Sequence, residues 1–129
     1  MLQANKAISI YTDALHMNDK LAGHYYQNSA YLNSLRGLMH FYKGDYKKTL
    51  KDYNEAIDRL TVSNHLDQNN YCSNNLLLSE ILYWKAWCLD DMYEESKDVA
   101  LLYEAEITLL KMEKVWLRYT KEIINTKKD

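Results

Sequence analysis

Histidines, cysteines and neighbouring carboxylates are the residues of this sequence whose types could carry chemistry. The four histidines are His16, His24, His40 and His65. None of them forms an i,i+4 pair with a second histidine beside a carboxylate, which is the spacing by which one helix holds a metal ion. The acidic pairs 90–91 and 94–95 join neighbours in sequence, whose side chains point in different directions, so they are typical of a solvated turn.

The cysteines and glycines also give no support for catalysis. Cys72 and Cys88 lie 16 residues apart, with no CxxC motif and no histidine at ligand spacing, so we expect two reduced, buried or half-exposed thiols. The sequence has no Gly-rich phosphate loop and no GxSxG motif. We therefore expect no enzyme, no metal and no cofactor.

The distribution of charge and apolar residues limits the class of partner. The chain has 129 residues and a formal net charge of −2, with basic and acidic residues interspersed throughout. A nucleic-acid-binding protein usually shows a basic excess or a basic stripe, so we expect no nucleic acid. The apolar runs are short and no signal peptide is recognisable, so we expect no membrane contact and a cytoplasmic protein.

The elements that would position these residues are all predicted to be helices. The sequence has no Pro and only three Gly, which argues against a fold of strands and tight turns. Apolar residues recur at helical spacing in five segments. The predicted helices are 3–17, 20–42, 45–61, 75–92 and 95–126. We expect one all-α domain over 1–129, either a bundle or a stack of antiparallel hairpins.

Polar segments set the predicted helix ends. Asn18-Asp19 reads as a break, and 62–75, rich in Asn and Ser, reads as an exposed loop. Glu94 and Glu95 are expected near the N-terminus of the last helix, where the macrodipole favours negative charge. The third helix is expected to present a charged face to water. Its residues are Lys47, Lys48, Lys51, Asp52, Glu55 and Asp58.

Two glycines define the junction between the second and third helices. Gly37 lies in mid-helix, where it costs about 1 kcal/mol relative to Ala, a cost that is tolerated where another backbone must come close. Gly44 is expected to end the second helix as its C′ residue, and Asp45 to cap the third.

The segment around this junction resembles a tetratricopeptide repeat, a 34-residue helical hairpin that stacks into a superhelix. The matching residues are Gly37, Gly44, Asp45, Tyr46, Thr49, Tyr53 and Ala56. The resemblance is good over 31–60 and over 4–17, where Ala7, Tyr11 and Ala14 repeat the second half of the motif. It is weak over 75–126. It implies a fold of stacked hairpins, a TPR-like superhelix.

The resemblance leaves the N-terminal edge incomplete, because 3–17 corresponds to a second helix without its first. That surface is covered by a different helix, by another chain, or by more of a longer protein. Self-association as a homodimer is therefore one expectation.

For this family, function means binding of a protein or peptide in a concave groove. The resemblance places five residues of the second helix on that groove: Tyr31, Ser34, Leu38, Phe41 and Tyr42. Such an aromatic and apolar groove suits an amphipathic helix or a hydrophobic peptide. The alternative is that these side chains pack between helices.

A second aromatic group lies in the fourth and fifth helices. Its members are Tyr83, Trp84, Trp87 and Trp116. Three interpretations stay open: a pocket for a small apolar ligand, a packed core, or a dimer surface. The sequence thus predicts an adaptor or scaffold module, with a ligand-sensing regulatory bundle as the alternative.

Overall fold

A computed structural model describes residues 2–20, 26–66 and 71–127, and all the regular structure in these ranges is α-helical. The helices are α1 (Leu2–Lys20), α2 (Tyr26–Tyr42), α3 (Tyr46–Leu66), α4 (Tyr71–Ser96) and α5 (Val99–Lys127). The prediction of an all-α fold with five helices is confirmed for the described part of the chain.

The break predicted at Asn18-Asp19 is wrong. α1 continues through both residues to Lys20, and Asn18 is buried with its side-chain amide donating to the hydroxyl of Ser29 on α2. The asparagine therefore joins two helices instead of capping the second. The first residues of the predicted helix 20–42, at 21–25, lie outside the described residues.

The loop predicted over 62–75 is wrong for most of its length, because α3 extends to Leu66 and α4 begins at Tyr71. Asn74 explains the difference. Its side-chain amide donates to Ser63 Oγ and to Asn64 Oδ1, both at 2.9 Å, and the side chain is fully buried. These polar residues bind one another between helices, whereas the sequence pattern indicated that they bind water. Residues 67–70 lie outside the described part.

The contacts of the chain divide it into two compact units, 1–62 and 63–129. Each is described by itself, and the single domain over 1–129 stays a prediction. Unit 1 contains α1, α2 and α3 as far as Val62. Its buried apolar residues are Leu15, Ala30, Tyr53, Ala56 and Leu60.

The α2–α3 junction has the predicted form. Gly44 has a φ of 79°. Its amide donates to the carbonyl of Phe41 at 2.9 Å, and the amide of Asp45 donates to the carbonyl of His40 at 2.9 Å. These two bonds make a Schellman motif with Gly44 at C′. The carboxylate of Asp45 then accepts from the amide of Lys48 at 3.2 Å and caps α3.

At Gly37 the helices α2 and α3 lie in close contact. A Cβ atom at this position would lie 2.8 and 2.9 Å from two ring carbons of Tyr53 and 3.2 Å from Cβ of Asp52. The expectation of a close neighbour at Gly37 is confirmed, but the nearest atoms belong to the side chains of Tyr53 and Asp52 and not to another backbone.

Unit 2 is built on the α4–α5 hairpin. Residues 97–98 connect the helices, and the carboxylate of Asp98 accepts from the amide of Ala100 at 3.0 Å, which caps α5. Glu94 and Glu95 therefore lie in the last turn of α4, not at the start of α5 as expected. The buried residues of the hairpin include Ile81, Leu82, Ala86, Cys88, Leu89, Ala105, Thr108 and Val115.

Candidate functional site

Unit 1 contains a partly buried ion pair between α2 and α3. Arg36 donates from Nε to Asp52 Oδ2 at 2.9 Å and from Nη2 to Asp52 Oδ1 at 2.6 Å. Its Nη1 donates to Thr12 Oγ1 of α1 at 3.2 Å, so the guanidinium connects three helices. The side chain of Asp52 is only 3% exposed. The expectation that Asp52 faces water is therefore wrong.

His40 lies at the edge of this ion pair, with Nε2 3.8 Å from Asp52 Oδ2. Burial lowers the pKa of His40, and the positive charges of Lys48 and Arg36 lower it further, against the opposite effect of Asp52 and Asp45. The imidazole is therefore kept neutral by its surroundings. The cluster has the chemistry of a structural contact between helices.

The depressed pKa of His40 predicts an acid-sensitive contribution to stability. Below the ordinary histidine pKa the unfolded chain binds a proton that the folded chain resists, so the free energy of unfolding falls as the pH falls through that ordinary pKa of about 6.5. His40→Gln should remove part of this dependence. Urea unfolding of the wild type and the variant at several pH values measures how the free energy of unfolding changes with pH. The same change with pH in both proteins would contradict the prediction.

Cys88 is buried, and burial followed by the charge of Asp91 raises the pKa of its thiol to about 12. Such a thiol stays protonated and is a poor nucleophile, which agrees with the expectation of a reduced buried cysteine. The side chain of Cys72 lies outside the described residues. Within 2–20, 26–66 and 71–127 no group of three or more His, Cys, Asp or Glu side chains is placed to hold a metal ion.

The α2 groove, defined as Tyr31, Ser34, Leu38, Phe41 and Tyr42, lies along one helix. Tyr31 and Tyr42 are exposed, whereas Leu38 and Phe41 are half-buried. The hydroxyl of Ser34 donates to the carbonyl of Tyr31 at 2.6 Å, within its own helix. Phe41 packs its ring against Tyr42 and Tyr46. That these residues bind a partner stays a prediction.

The four residues of the second aromatic group meet on one side of the α4–α5 hairpin. The rings of Tyr83, Trp84 and Trp87 have centroids 5.8 to 5.9 Å apart. Trp84 also lines a common hollow with Trp116 of α5. These side chains are 37% to 47% exposed, so this group lies at the surface instead of in a packed core.

Two open hollows lie side by side on this surface. The first has a volume of about 350 Å³ and is lined by Ser79, Glu80, Tyr83, Trp84, Met112 and Trp116. The second has a volume of about 450 Å³ and is lined by Tyr83, Ala86, Trp87, Asp90, Leu102, Ala105, Glu106 and Leu109. Tyr83 is common to both. We call the exposed apolar residues of this surface the aromatic face: Tyr83, Trp84, Trp87, Leu102, Leu109 and Trp116.

Sequence reasoning included Trp116 of α5 in this group but missed two further α5 residues of the aromatic face, Leu102 and Leu109. Leu102, Leu109 and Trp116 follow one another at seven-residue intervals, which places them on one side of a helix. That spacing was a usable signal. A second series with the same interval is also exposed on α5, namely Tyr103, Leu110, Leu117 and Ile124.

Comparisons of the chain with models of protein families, with curated proteins and with solved structures find no match. The resemblance to tetratricopeptide repeats stays a hypothesis based on the residues. Among the described residues, none of the helices has the combination of length and apolarity needed to cross a membrane.

Proposed function

We propose that this protein is an interaction module, an adaptor or scaffold that binds a peptide or a partner helix on an exposed helical surface. The observation that carries the proposal is the aromatic face. It places three Trp or Tyr side chains in mutual contact at the surface, beside Leu102 and Leu109, which are also exposed. Contiguous exposed apolar patches of this kind mark interaction sites, and Trp and Tyr dominate binding energy at protein interfaces.

A TPR-like arrangement of the helices is part of the same proposal. It is supported by the packing of Gly37 against Tyr53 and by the Gly44-Asp45 turn, which are the residues on which the resemblance depends. The α2 groove is the binding surface that this arrangement implies, and the aromatic face offers a surface on unit 2.

A ligand-sensing function is the second candidate, because the hollows of about 350 and 450 Å³ fall within the size range of small-molecule sites. Such sites usually enclose most of their ligand. The lining tryptophans here are more than a third exposed before any ligand binds, so the hollows are better suited to side chains of a larger partner.

The test is capture of partners by the immobilised protein, followed by binding measurements with the purified candidate. Leu109→Glu places a charge in the aromatic face and should weaken binding at least tenfold. Leu38→Glu makes the same change in the α2 groove and reports on that surface separately. Leu117→Glu is the matched control, since Leu117 is exposed on α5 and lines neither hollow.

Circular dichroism should show near wild-type helical content for each variant. Loss of helix in Leu38→Glu would mean that Leu38 is core and that the α2 groove is misplaced. Equal binding by all three variants and the wild type would contradict both surfaces. A saturable change in tryptophan emission with small apolar compounds, and no protein partner, would favour the ligand-sensing alternative. Light scattering over a concentration series measures self-association.

A further inference from the structure

The aromatic face has an acidic border. Exposed Glu80 lines the first hollow, and exposed Asp90 and Glu106 line the second. The described residues that line the two hollows include no Lys, Arg or His. An apolar surface whose hollows are lined by carboxylates and by no basic side chain selects partners by charge as well as by shape, because a negative charge brought to it is repelled.

Negative charge accumulates further at the C-terminal end of α4. Partial burial raises the pKa of Asp91, and the charges of Asp90, Glu95 and Glu94 raise it further. The last turn of α4 contains no basic residue, although the helix macrodipole favours positive charge there. Lys97 already pairs with Glu94 at 3.0 Å, and a cationic partner would relieve the repulsion that remains around Asp91.

The spacing of the hollows fits a helix. Leu109 lines the second hollow and Trp116 the first, and these residues lie seven positions apart on α5. At 1.5 Å per residue this separation is about 10 Å, the distance between side chains at i and i+7 of a partner helix. Helices that dock in apolar grooves use anchors at i, i+3, i+4 and i+7.

The same charges disfavour the other occupants. In a two-fold dimer formed by this face, the carboxylates Glu80, Asp90 and Glu106 of one copy would face a surface that carries the same three carboxylates. An anionic membrane surface would repel them also.

We propose that the aromatic face binds a basic amphipathic helix of another protein. Two apolar side chains of that helix, seven residues apart, enter the two hollows. Its Lys or Arg side chains pair with Glu80, Asp90 and Glu106, and an Arg can also stack on the exposed tryptophans. This inference rests on the proposed interaction function and names the class of partner for unit 2.

The experiment uses synthetic 18-residue helical peptides and the full chain, with binding followed by calorimetry and by tryptophan emission. The first peptide has Leu at i, i+3, i+4 and i+7 and Lys elsewhere. The second has Glu in place of Lys, the third has Gln, and the fourth has the composition of the first in an order without helical periodicity. We expect saturable one-to-one binding of the first peptide, at least tenfold weaker binding of the second and fourth, and loss of affinity with added salt.

A triple variant isolates the acidic border: Glu80→Gln, Asp90→Asn and Glu106→Gln. It should weaken binding of the Lys peptide about tenfold and leave binding of the Gln peptide unchanged. The control makes the same change in net charge within unit 1, by Asp13→Asn, Glu55→Gln and Asp58→Asn, and should bind both peptides like the wild type.

Three results would overturn the inference, and they are distinguishable. Equal binding of the Lys, Gln and Glu peptides would remove the selection for charge while leaving an interaction surface. A dimer in solution that Leu109→Glu converts to a monomer would make a second copy the occupant. Absence of binding by every peptide, with Leu109→Glu also without effect on protein capture, would remove the aromatic face from the proposed function as well.

Discussion

Gly37→Leu is expected to destabilise unit 1 by about 3 kcal/mol, the upper end of the usual range for overpacked cores. Even the Cβ atom would lie within 3.0 Å of two ring carbons of Tyr53. That ring cannot move aside easily, because Tyr53 is only 2% exposed. The three further carbon atoms of Leu would have to separate α2 from α3.

Urea unfolding followed by circular dichroism measures this effect, and tryptophan emission reports separately on unit 2, since Trp84, Trp87 and Trp116 are the only tryptophans of the chain. Gly44→Ala is the matched control. Its φ of 79° is unfavourable for Ala, at a cost of about 1 to 2 kcal/mol, but nothing lies within 4 Å of the added Cβ. If Gly37→Leu were no less stable than Gly44→Ala, the packing of Gly37 against Tyr53 would not be a requirement of the fold.

Arg36→Met should cost about 3 to 5 kcal/mol, because it leaves the carboxylate of Asp52 buried without its partner. Asp52 is 3% exposed and receives two hydrogen bonds from Arg36, at 2.6 and 2.9 Å. The double variant Arg36→Met, Asp52→Leu should recover most of the loss, since apolar residues of similar volume can replace a buried pair at little cost.

Arg59→Met supplies the control for this second prediction. Arg59 pairs with Asp19 at 3.1 Å, but both side chains are more than a quarter exposed, so the same substitution should cost less than about 1 kcal/mol. Chemical denaturation of the wild type, Arg36→Met, the double variant and Arg59→Met measures these losses of stability. Equal losses for Arg36→Met and Arg59→Met would mean that the Arg36–Asp52 pair is as weak as a surface ion pair.

Local spacing was sufficient to predict part of this structure. The helical period, the absence of Pro and the Gly44-Asp45 pair predict five helices and one turn, because backbone conformation depends on residues within about four positions. The spacing of 83, 84 and 87 likewise places three aromatic side chains together on α4. These features needed no knowledge of distant residues.

Three of the errors have one physical cause. Asn18, Asp52 and Asn74 are polar, and their types do not say whether water or a side chain of another helix satisfies them. Their partners lie 10 to 16 positions away from them, beyond any helical period. The sequence analysis therefore interpreted these polar residues as a break, a loop and part of a solvated face. In the structure they form contacts between helices.

The aromatic face shows the same division between local pattern and tertiary structure. Its tryptophans and tyrosine are recognisable in the sequence. Whether they form a core, a pocket or a surface depends on which other residues cover the rings, and the sequence pattern does not show this. Packing of α4 against α5 leaves these rings exposed and brings Glu80, Asp90 and Glu106 to their border. The periodicity of the sequence determines which side chains share a helix face. Only the packing of the helices decides which faces are buried and which charges surround the exposed ones, because burial is a property of contacts between residues far apart in the chain.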